Sequence, residues 1–135
     1  MIIDSHCHLS YKNNTENIDN VIQNANDVDV KKFLNIATKS DEFKDIINIS
    51  SKYENIYYTL GIHPHEADET TNAVIDEIKK YINDPKMLAI GETGLDFYYN
   101  HAEKNTQIRS LEMHIEVAQE TDLPLIIHMR DAENE

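Results

Sequence analysis

Apolar and polar residues follow two alternating periods along this 135-residue chain. Short apolar runs of strand length occur at positions 1–3, 33–37, 56–60, 87–90 and 124–127. Between them, apolar residues recur at the three-to-four-residue spacing of an amphipathic helix. These are Ile18, Val21, Ile22, Ala25 and Val28; Phe43, Ile46, Ile47 and Tyr53 after a helix start near Ser40; Val74, Ile75, Ile78 and Ile82; and Ile108, Leu111, Ile115 and Ala118. The pattern predicts five strands separated by four helices.

Strands that alternate with helices are typical of an α/β fold, because right-handed helical crossovers connect parallel strands. Polar clusters fall at the carboxyl ends of the predicted strands. They are His6 and His8 on the first, His63 and His65 after the third, Glu92 after the fourth, and His128 with Arg130 on the fifth. Loops converge at this edge of parallel sheets and barrels, so we expect these side chains to form one site.

The segment 6–8 carries the most specific part of this pattern. Side chains alternate across a strand, so His6 and His8 face one side and Cys7 faces the other. Two neighbouring imidazoles are half of a metal site, although polar residues at a strand end also produce such a pair by chance. Cys7 is expected to be a packed core thiol.

The donor types favour divalent metal chemistry. Imidazoles and a carboxylate without thiolates argue against a closed structural zinc site, and Glu92 has two oxygens with which to bridge two ions. Two ions a few ångströms apart activate water near neutral pH and stabilise the charge that develops on a phosphoryl group.

The composition limits the partners and the location of the chain. Its 12 Lys and Arg residues against 25 Asp and Glu give a net charge of −13, which opposes a broad basic surface for nucleic acid. Contacts to nucleic acid must then be local, through bound cations or a few Arg and Lys residues. Cys7 is the only cysteine, so a reducing cytoplasm is the expected location. No membrane-length apolar stretch or secretory signal occurs, so we expect no membrane partner.

Four ordered motifs carry a resemblance to a known family. They are the segments 1–9, 61–65, 91–96 and 124–132, which read MIIDSHCHL, GIHPH, GETGLD and PLIIHMRDA. In this order they resemble the signatures of the TatD family of metal-dependent deoxyribonucleases, and they extend from the first residues to the last.

The resemblance implies a TIM barrel of the amidohydrolase type, with a two-metal site that cleaves phosphodiester bonds at DNA ends or in single strands. His6 and His8 would bind one ion, Glu92 would bridge both, and His128 would bind the second. The resemblance does not choose among Mg²⁺, Mn²⁺ and Zn²⁺. Glu92 and His63 would be catalytic, with His63 contacting the substrate phosphate or carrying a proton.

Two further residues are expected on the substrate side. Arg130 shares the face of His128 on strand parity and would reach a phosphate, with a surface ion pair to Asp131 as the alternative. His65 would contact the substrate or belong to the loop scaffold.

The remaining polar residues carry plainer expectations. Tyr98 and Tyr99 would stack on a base or pack the loop. Asp96 would orient a neighbouring ligand or cap a turn. We expect His114 to be a packed core histidine and His101 to be solvated.

Length limits what the resemblance implies. A complete TIM barrel needs about 250 residues, so residues 1–135 would be the amino-terminal part of one such domain, truncated to four β/α units and a fifth strand, with no second domain. The family's further histidine ligand and catalytic aspartate would lie on later strands, so we expect impaired hydrolysis. Open sheet edges would favour self-association or a complementing carboxyl-terminal fragment.

Two alternatives remain at this point. The missing aspartate favours a non-catalytic remnant that binds metal weakly or serves as an interaction module. A phosphoesterase of the polymerase-and-histidinol-phosphatase type also begins with a His-x-His strand, but the segments 61–65 and 91–96 argue against it.

Overall fold

A computed structural model describes residues 1–11 and 17–135. In this part of the chain, five strands alternate with four α-helices. They are β1 (Ile2–Cys7), α1 (Ile18–Asp27), β2 (Val30–Asn35), α2 (Phe43–Lys52), β3 (Ile56–Leu60), α3 (Asn72–Lys79), β4 (Met87–Asp96), α4 (Lys104–Thr121) and β5 (Leu125–Arg130). Turns of 3₁₀-helix over Ser40–Glu42 and Pro64–Glu69 precede α2 and α3. The predicted alternation is confirmed.

The strands form one sheet in the order β1-β2-β3-β4-β5, and every neighbouring pair is parallel. Right-handed crossovers between consecutive parallel strands place each helix on the same face of the sheet. The carboxyl ends of all these strands therefore lie along one edge, which is where the chemistry-bearing residues fall.

The core lies between the sheet and this helical layer. Its larger cluster includes the fully buried Phe43, Ile46, Tyr58, Leu60, Ile62, Ile78 and Ile90. A smaller cluster of Leu9, Ile22, Phe33, Ile49 and Ile56 lies under α1, and Cys7 packs against it. The Cys7 thiol donates to Leu34 O at 3.3 Å, and burial, with a smaller effect of Asp4, raises its pKa to about 12. Cys7 thus faces away from the histidines, as predicted.

The buried face of α4 differs from the prediction. Ile108, Leu111 and Ile115 are only partly buried, and the buried residues are Gln107, Ser110, His114, Val117 and Ala118. Three of these, Gln107, Ser110 and His114, are polar. Their burial is possible because each hydrogen-bonds to the backbone or a side chain of another segment. Apolar periodicity does not register buried polar partners, so it misplaced the face, although His114 is in the core as expected.

Strand β4 is longer than its apolar run indicated. It continues to Asp96, so Glu92 lies inside the strand instead of after it. Glycines let neighbouring backbones approach here: a Cβ on Gly61 would lie 2.4 Å from Gly91 Cα, and one on Gly94 would lie 1.9 Å from His128 O. Gly94 also has φ +141°, a conformation that L side chains rarely adopt. These contacts hold β3, β4 and β5 together where the site forms.

The edge strands leave apolar side chains in solvent. Ile2 and Ile3 of β1 are 54% and 56% exposed, and Ile127 and Met129 of β5 are 58% and 61% exposed. Over the residues that the structure describes, no helix combines the length and the apolar character needed to cross a membrane.

Candidate metal centre

The strand ends bring the predicted ligands together. Within the described residues, the donor atoms of His6, His8 and Glu92 lie within 4.8 Å of one another, and so do those of His63, Glu92 and His128. Glu92 belongs to both groups. The side chains lie in a cleft of about 380 Å³ that His65 also lines.

The two carboxylate oxygens of Glu92 face different histidines. Oε2 lies 3.3 Å from His6 Nε2, and Oε1 lies 3.4 Å from His128 Nδ1. Two ligand atoms that each lie about 2.1 Å from an ion at a tetrahedral angle are about 3.4 Å apart. Glu92 is 7% exposed, and its backbone N–H donates to Ala37 O at 3.0 Å. The spacing and the burial of this carboxylate fit a site for cations.

The orientation of His128 shows why a cation fits between it and Glu92. Its Nε2 lies 3.0 Å from Asp96 Oδ2, and a carboxylate oxygen accepts, so Nε2 carries the proton. In the neutral ring, Nδ1 is then an acceptor that faces another acceptor, Glu92 Oε1. Two lone pairs at this distance are stabilised by a cation between them. Asp96 thus orients the ring in the way that carboxylates orient metal-binding histidines.

His8 is oriented by the backbone. Its Nδ1 donates to Ile36 O at 3.1 Å, which leaves Nε2 unprotonated in the neutral ring, as metal binding requires. The Tyr11 ring stacks on it with centroids 4.8 Å apart and planes at 9°. No sequence pattern pointed to Tyr11, because it follows the strand in an irregular segment.

His63 differs from His128 in that its unprotonated nitrogen already accepts a hydrogen bond. Its Nδ1 accepts the backbone N–H of His65 at 3.2 Å, so the proton of the neutral ring is on Nε2. Burial, followed by the nearby His128 and His65, lowers the pKa of His63 to about 3. The ring is therefore neutral at pH 7, and its Nε2–H suits a donor to a substrate oxygen better than a metal ligand.

Asp96 connects the site to the next loop. Its Oδ2 accepts from His65 Nε2 at 2.8 Å as well as from His128, and its Oδ1 accepts the backbone N–H groups of Tyr98 and Tyr99 at 3.1 and 3.0 Å. Burial alone would raise the pKa of Asp96, but the Tyr99 N–H and the two imidazoles hold it well below its usual range. Asp96 therefore makes both of the contacts expected of it: it orients a neighbouring imidazole, and it caps the turn that follows β4.

The other predicted residues lie at the rim. His65 lines the cleft and is held by Asp96. Arg130 stacks on Tyr98 and Tyr99, and the structure records no ion pair between it and Asp131 in the described residues. His101 is exposed, as expected, and its ring lies 4.5 Å from that of His65. The sequence did not indicate Gln107, which is fully buried and hydrogen-bonds the backbone of Asp96 and Ala102.

Comparison with protein families gives one match over nearly the whole chain. The profile described as "TatD related DNase" matches residues 3–135. An uncharacterized metal-dependent hydrolase of Buchnera aphidicola subsp. Acyrthosiphon pisum is 36% identical in an alignment 140 positions long, which covers 97% of this chain and 53% of that protein. The 3'-5' ssDNA/RNA exonuclease TatD of Salmonella typhimurium is 32% identical over 114 residues, covering 84% and 44% of the two chains.

Solved structures match the same fold. The TatD homologue YjjV of Escherichia coli K12 superimposes with a TM-score of 0.90 at 26% identity, over 96% of this chain and 51% of that one. A TatD family hydrolase of Entamoeba histolytica gives a TM-score of 0.84 at 27% identity, over 97% and 50%. The predicted barrel-type fold is confirmed, as a half-barrel over the described residues, and the chain spans about half the length of the relatives it matches.

Proposed function

This chain belongs to the family of TatD-related DNases, and we propose that its strand-end cluster holds two divalent metal ions with which the protein hydrolyses phosphodiester bonds of DNA. The observation that carries the proposal is the carboxylate of Glu92, whose two oxygens face His6 and His128 separately at 3.3 and 3.4 Å. That arrangement suits a bridging ligand between two ions.

The residues divide into two ligand groups. His6 and His8 would hold one ion together with Glu92, and His128 would hold the other together with the same carboxylate. Divalent ions in such a site activate water and stabilise the negative charge of the phosphoryl group. Imidazole donors suit Zn²⁺ and carboxylates suit Mg²⁺ and Mn²⁺, so this mixed set of donors does not single out one of them.

His63 and His65 face the substrate in this proposal. The Nε2–H of His63 donates to a phosphate oxygen, and His65 helps to position the phosphate from its place beside Asp96. Neutral His63 adds no charge that would compete with the cations. A chain of net charge −13 has to bind nucleic acid through local contacts. A strand end or a single strand suits such a site because it needs only a small contact area. The Salmonella relative is named as a 3'-5' ssDNA/RNA exonuclease.

Metal retention tests the ligand assignment. Glu92→Ala removes a donor to both ions, whereas His65→Ala removes none, so Glu92→Ala should lose more Mn²⁺ after dialysis. Glu66→Ala is the matched control, since Glu66 also lines the cleft and lies outside both ligand groups. Metal content is measured by mass spectrometry on folded protein. Equal loss from Glu92→Ala and Glu66→Ala would demote Glu92 to a scaffold residue.

The open sheet edges belong to the same proposal. We propose that β1 and β5 pair with further strands, supplied by polypeptide that corresponds to the part of the relatives that this chain does not match. Exposed apolar residues on both edge strands, such as Ile3 and Met129, favour such a partner over a solvated edge. The free thiol of Cys7 fits the cytoplasm, where we place the protein.

Activity separates the enzyme from a non-catalytic metal-binding module. Residues 1–135 alone should hydrolyse single-stranded DNA at least about 10²-fold more slowly than a fusion with the unmatched part of the Buchnera relative, because a positioned acid or base contributes about 10²–10⁴ in rate. Turnover by the 135-residue chain that equals the fusion and is abolished by Glu92→Ala would refute this impairment. A fusion that binds Mn²⁺ without turnover would favour the module.

A further inference from the structure

An exposed aromatic surface adjoins the metal centre. It consists of Tyr98, Tyr99, His101 and Arg130, which we call the stacking surface. Tyr98 and Tyr99 are 56% and 50% exposed, and the ring of His101 stacks on that of Tyr99 with centroids 5.7 Å apart and planes at 21°. Exposed aromatic side chains that lie next to one another form the kind of contiguous apolar surface that marks a contact site.

Arg130 gives this surface its charge. The guanidinium carbon lies 4.1 Å from the Tyr98 ring centroid and 4.6 Å from that of Tyr99. In the part of the chain that the structure describes, no carboxylate forms an ion pair with this guanidinium. A second cation, Lys104 Nζ, lies 4.3 Å from the Phe97 ring centroid in the same loop. A guanidinium that lies on aromatic rings can pair with a phosphate, and its plane and the rings can stack on a base.

The stacking surface is joined to the metal centre through Asp96. One oxygen of this carboxylate accepts from His65 and His128, and the other accepts the N–H groups of Tyr98 and Tyr99. The His65 ring lies 4.5 Å from His101 and 5.6 Å from Tyr99. Register pairing of Asp96 with Arg130 places the guanidinium at the same edge of the sheet. The stacking surface therefore borders the cleft at His65, which lines the cleft and contacts His101 and Tyr99.

We propose that the stacking surface binds an unpaired nucleobase of a single-stranded nucleic acid, beside the nucleotide whose phosphate enters the cleft. The proposal rests on the proposed function for the identity of the ligand. Every base has an aromatic face for stacking, whereas in a duplex those faces are covered by neighbouring base pairs. The surface thus selects single strands and frayed ends over duplex, and Arg130 contacts the adjacent phosphate.

The test measures binding without metal and without hydrolysis. The ¹⁵N-labelled 135-residue chain is titrated in EDTA at low salt with oligothymidylate of about ten nucleotides, a length within the range such sites occupy. An abasic oligonucleotide with the same number of phosphates, and a duplex, form the other arms. Amide shifts report both the affinity and the location.

Shifts should concentrate at residues 97–101, and the abasic oligonucleotide and the duplex should bind more weakly than oligothymidylate. Tyr98→Ala and Tyr99→Ala should each weaken binding by about 5- to 100-fold, as expected for the loss of one stacked base. Tyr98→Phe should keep the affinity within about 2-fold, because the ring is retained. Tyr57→Ala is the matched control, as Tyr57 has Lys32 Nζ at 5.8 Å on a different part of the sheet.

Equal affinity for the abasic and base-bearing oligonucleotides would overturn the proposal, as would undetectable binding or shifts confined to other segments. The affinity of each variant for Mn²⁺ is measured separately by calorimetry. If the unsubstituted chain does not bind Mn²⁺, that result would count against the proposed function but would not change the result for base stacking. A failure of the proposed function and a failure of the stacking proposal are therefore distinguishable.

Discussion

The buried imidazole of His114 makes the stability of this fold depend on pH. The ring is fully buried. Its Nδ1 donates to Ser110 O at 2.7 Å, and its Nε2 accepts the backbone N–H of Ile62 at 3.1 Å. Protonation of Nε2 would set two donors against each other. His114 also joins α4 to Ile62, which directly precedes His63 in the chain.

The sign of the pH dependence follows from the direction of the pKa shift. Burial lowers the pKa of His114, against a smaller opposing effect of the Ser110 carbonyl. The pKa of a histidine in an unfolded chain is about 6.5, so below that pH the unfolded chain binds more protons than the folded one. The stabilisation is therefore complete above about pH 6.5 and is lost as pH falls, by up to ~1.4 kcal/mol per pH unit. His63, with its pKa lowered to about 3, adds a loss of the same sign.

Substitution of His114 separates its two contributions. His114→Gln removes the titrating group, so the slope of unfolding free energy between about pH 6 and pH 5 should decrease by up to ~1.4 kcal/mol per unit. His114→Leu leaves the Ile62 N–H without this partner, at about 1–3 kcal/mol, whereas the Ser110 carbonyl keeps its hydrogen bond within α4. It should therefore destabilise the fold by ~1–3 kcal/mol at pH 7.

Urea unfolding followed by circular dichroism, at both ends of this pH range for the slope and at pH 7 for His114→Leu, supplies the measurement, with EDTA present. His101→Gln is the control, because that ring is exposed and its replacement should change stability by under about 0.5 kcal/mol. An unchanged slope in His114→Gln would refute the reasoning, and so would a loss below ~1 kcal/mol in His114→Leu.

Two further predictions follow from the strand contacts. Gly94→Ala should lower the unfolding free energy by at least ~2 kcal/mol in denaturant titration, since its Cβ would lie 1.9 Å from His128 O at φ +141° and both strain and overlap cost energy; stability within about 0.5 kcal/mol of the original would contradict this. The Cys7 thiol, with its pKa raised to about 12, should react with iodoacetamide at pH 8 over about 10²-fold more slowly in the folded chain than in urea. Similar rates in both states would show that this thiol is accessible.

The sequence by itself determined the order of the elements and the edge at which the site forms. Alternating strand and helix periods leave few topologies when consecutive strands are parallel and crossovers share one hand. Residues at strand ends such as His6, His63 and His128 then have to meet along one edge of the sheet. This part of the prediction depends on local periodicity and on chirality, both of which are visible in a single sequence.

Only the tertiary structure decided which groups touch. It showed the two oxygens of Glu92 directed at different imidazoles, and the carboxylate of Asp96 shared between His128 and the N–H groups of the next loop. It also placed the polar residues Gln107 and Ser110 in the core, on a helix face where the apolar pattern indicated isoleucine and leucine. Such contacts join positions that are distant along the chain, and they depend on distances and hydrogen-bond directions that periodicity does not carry.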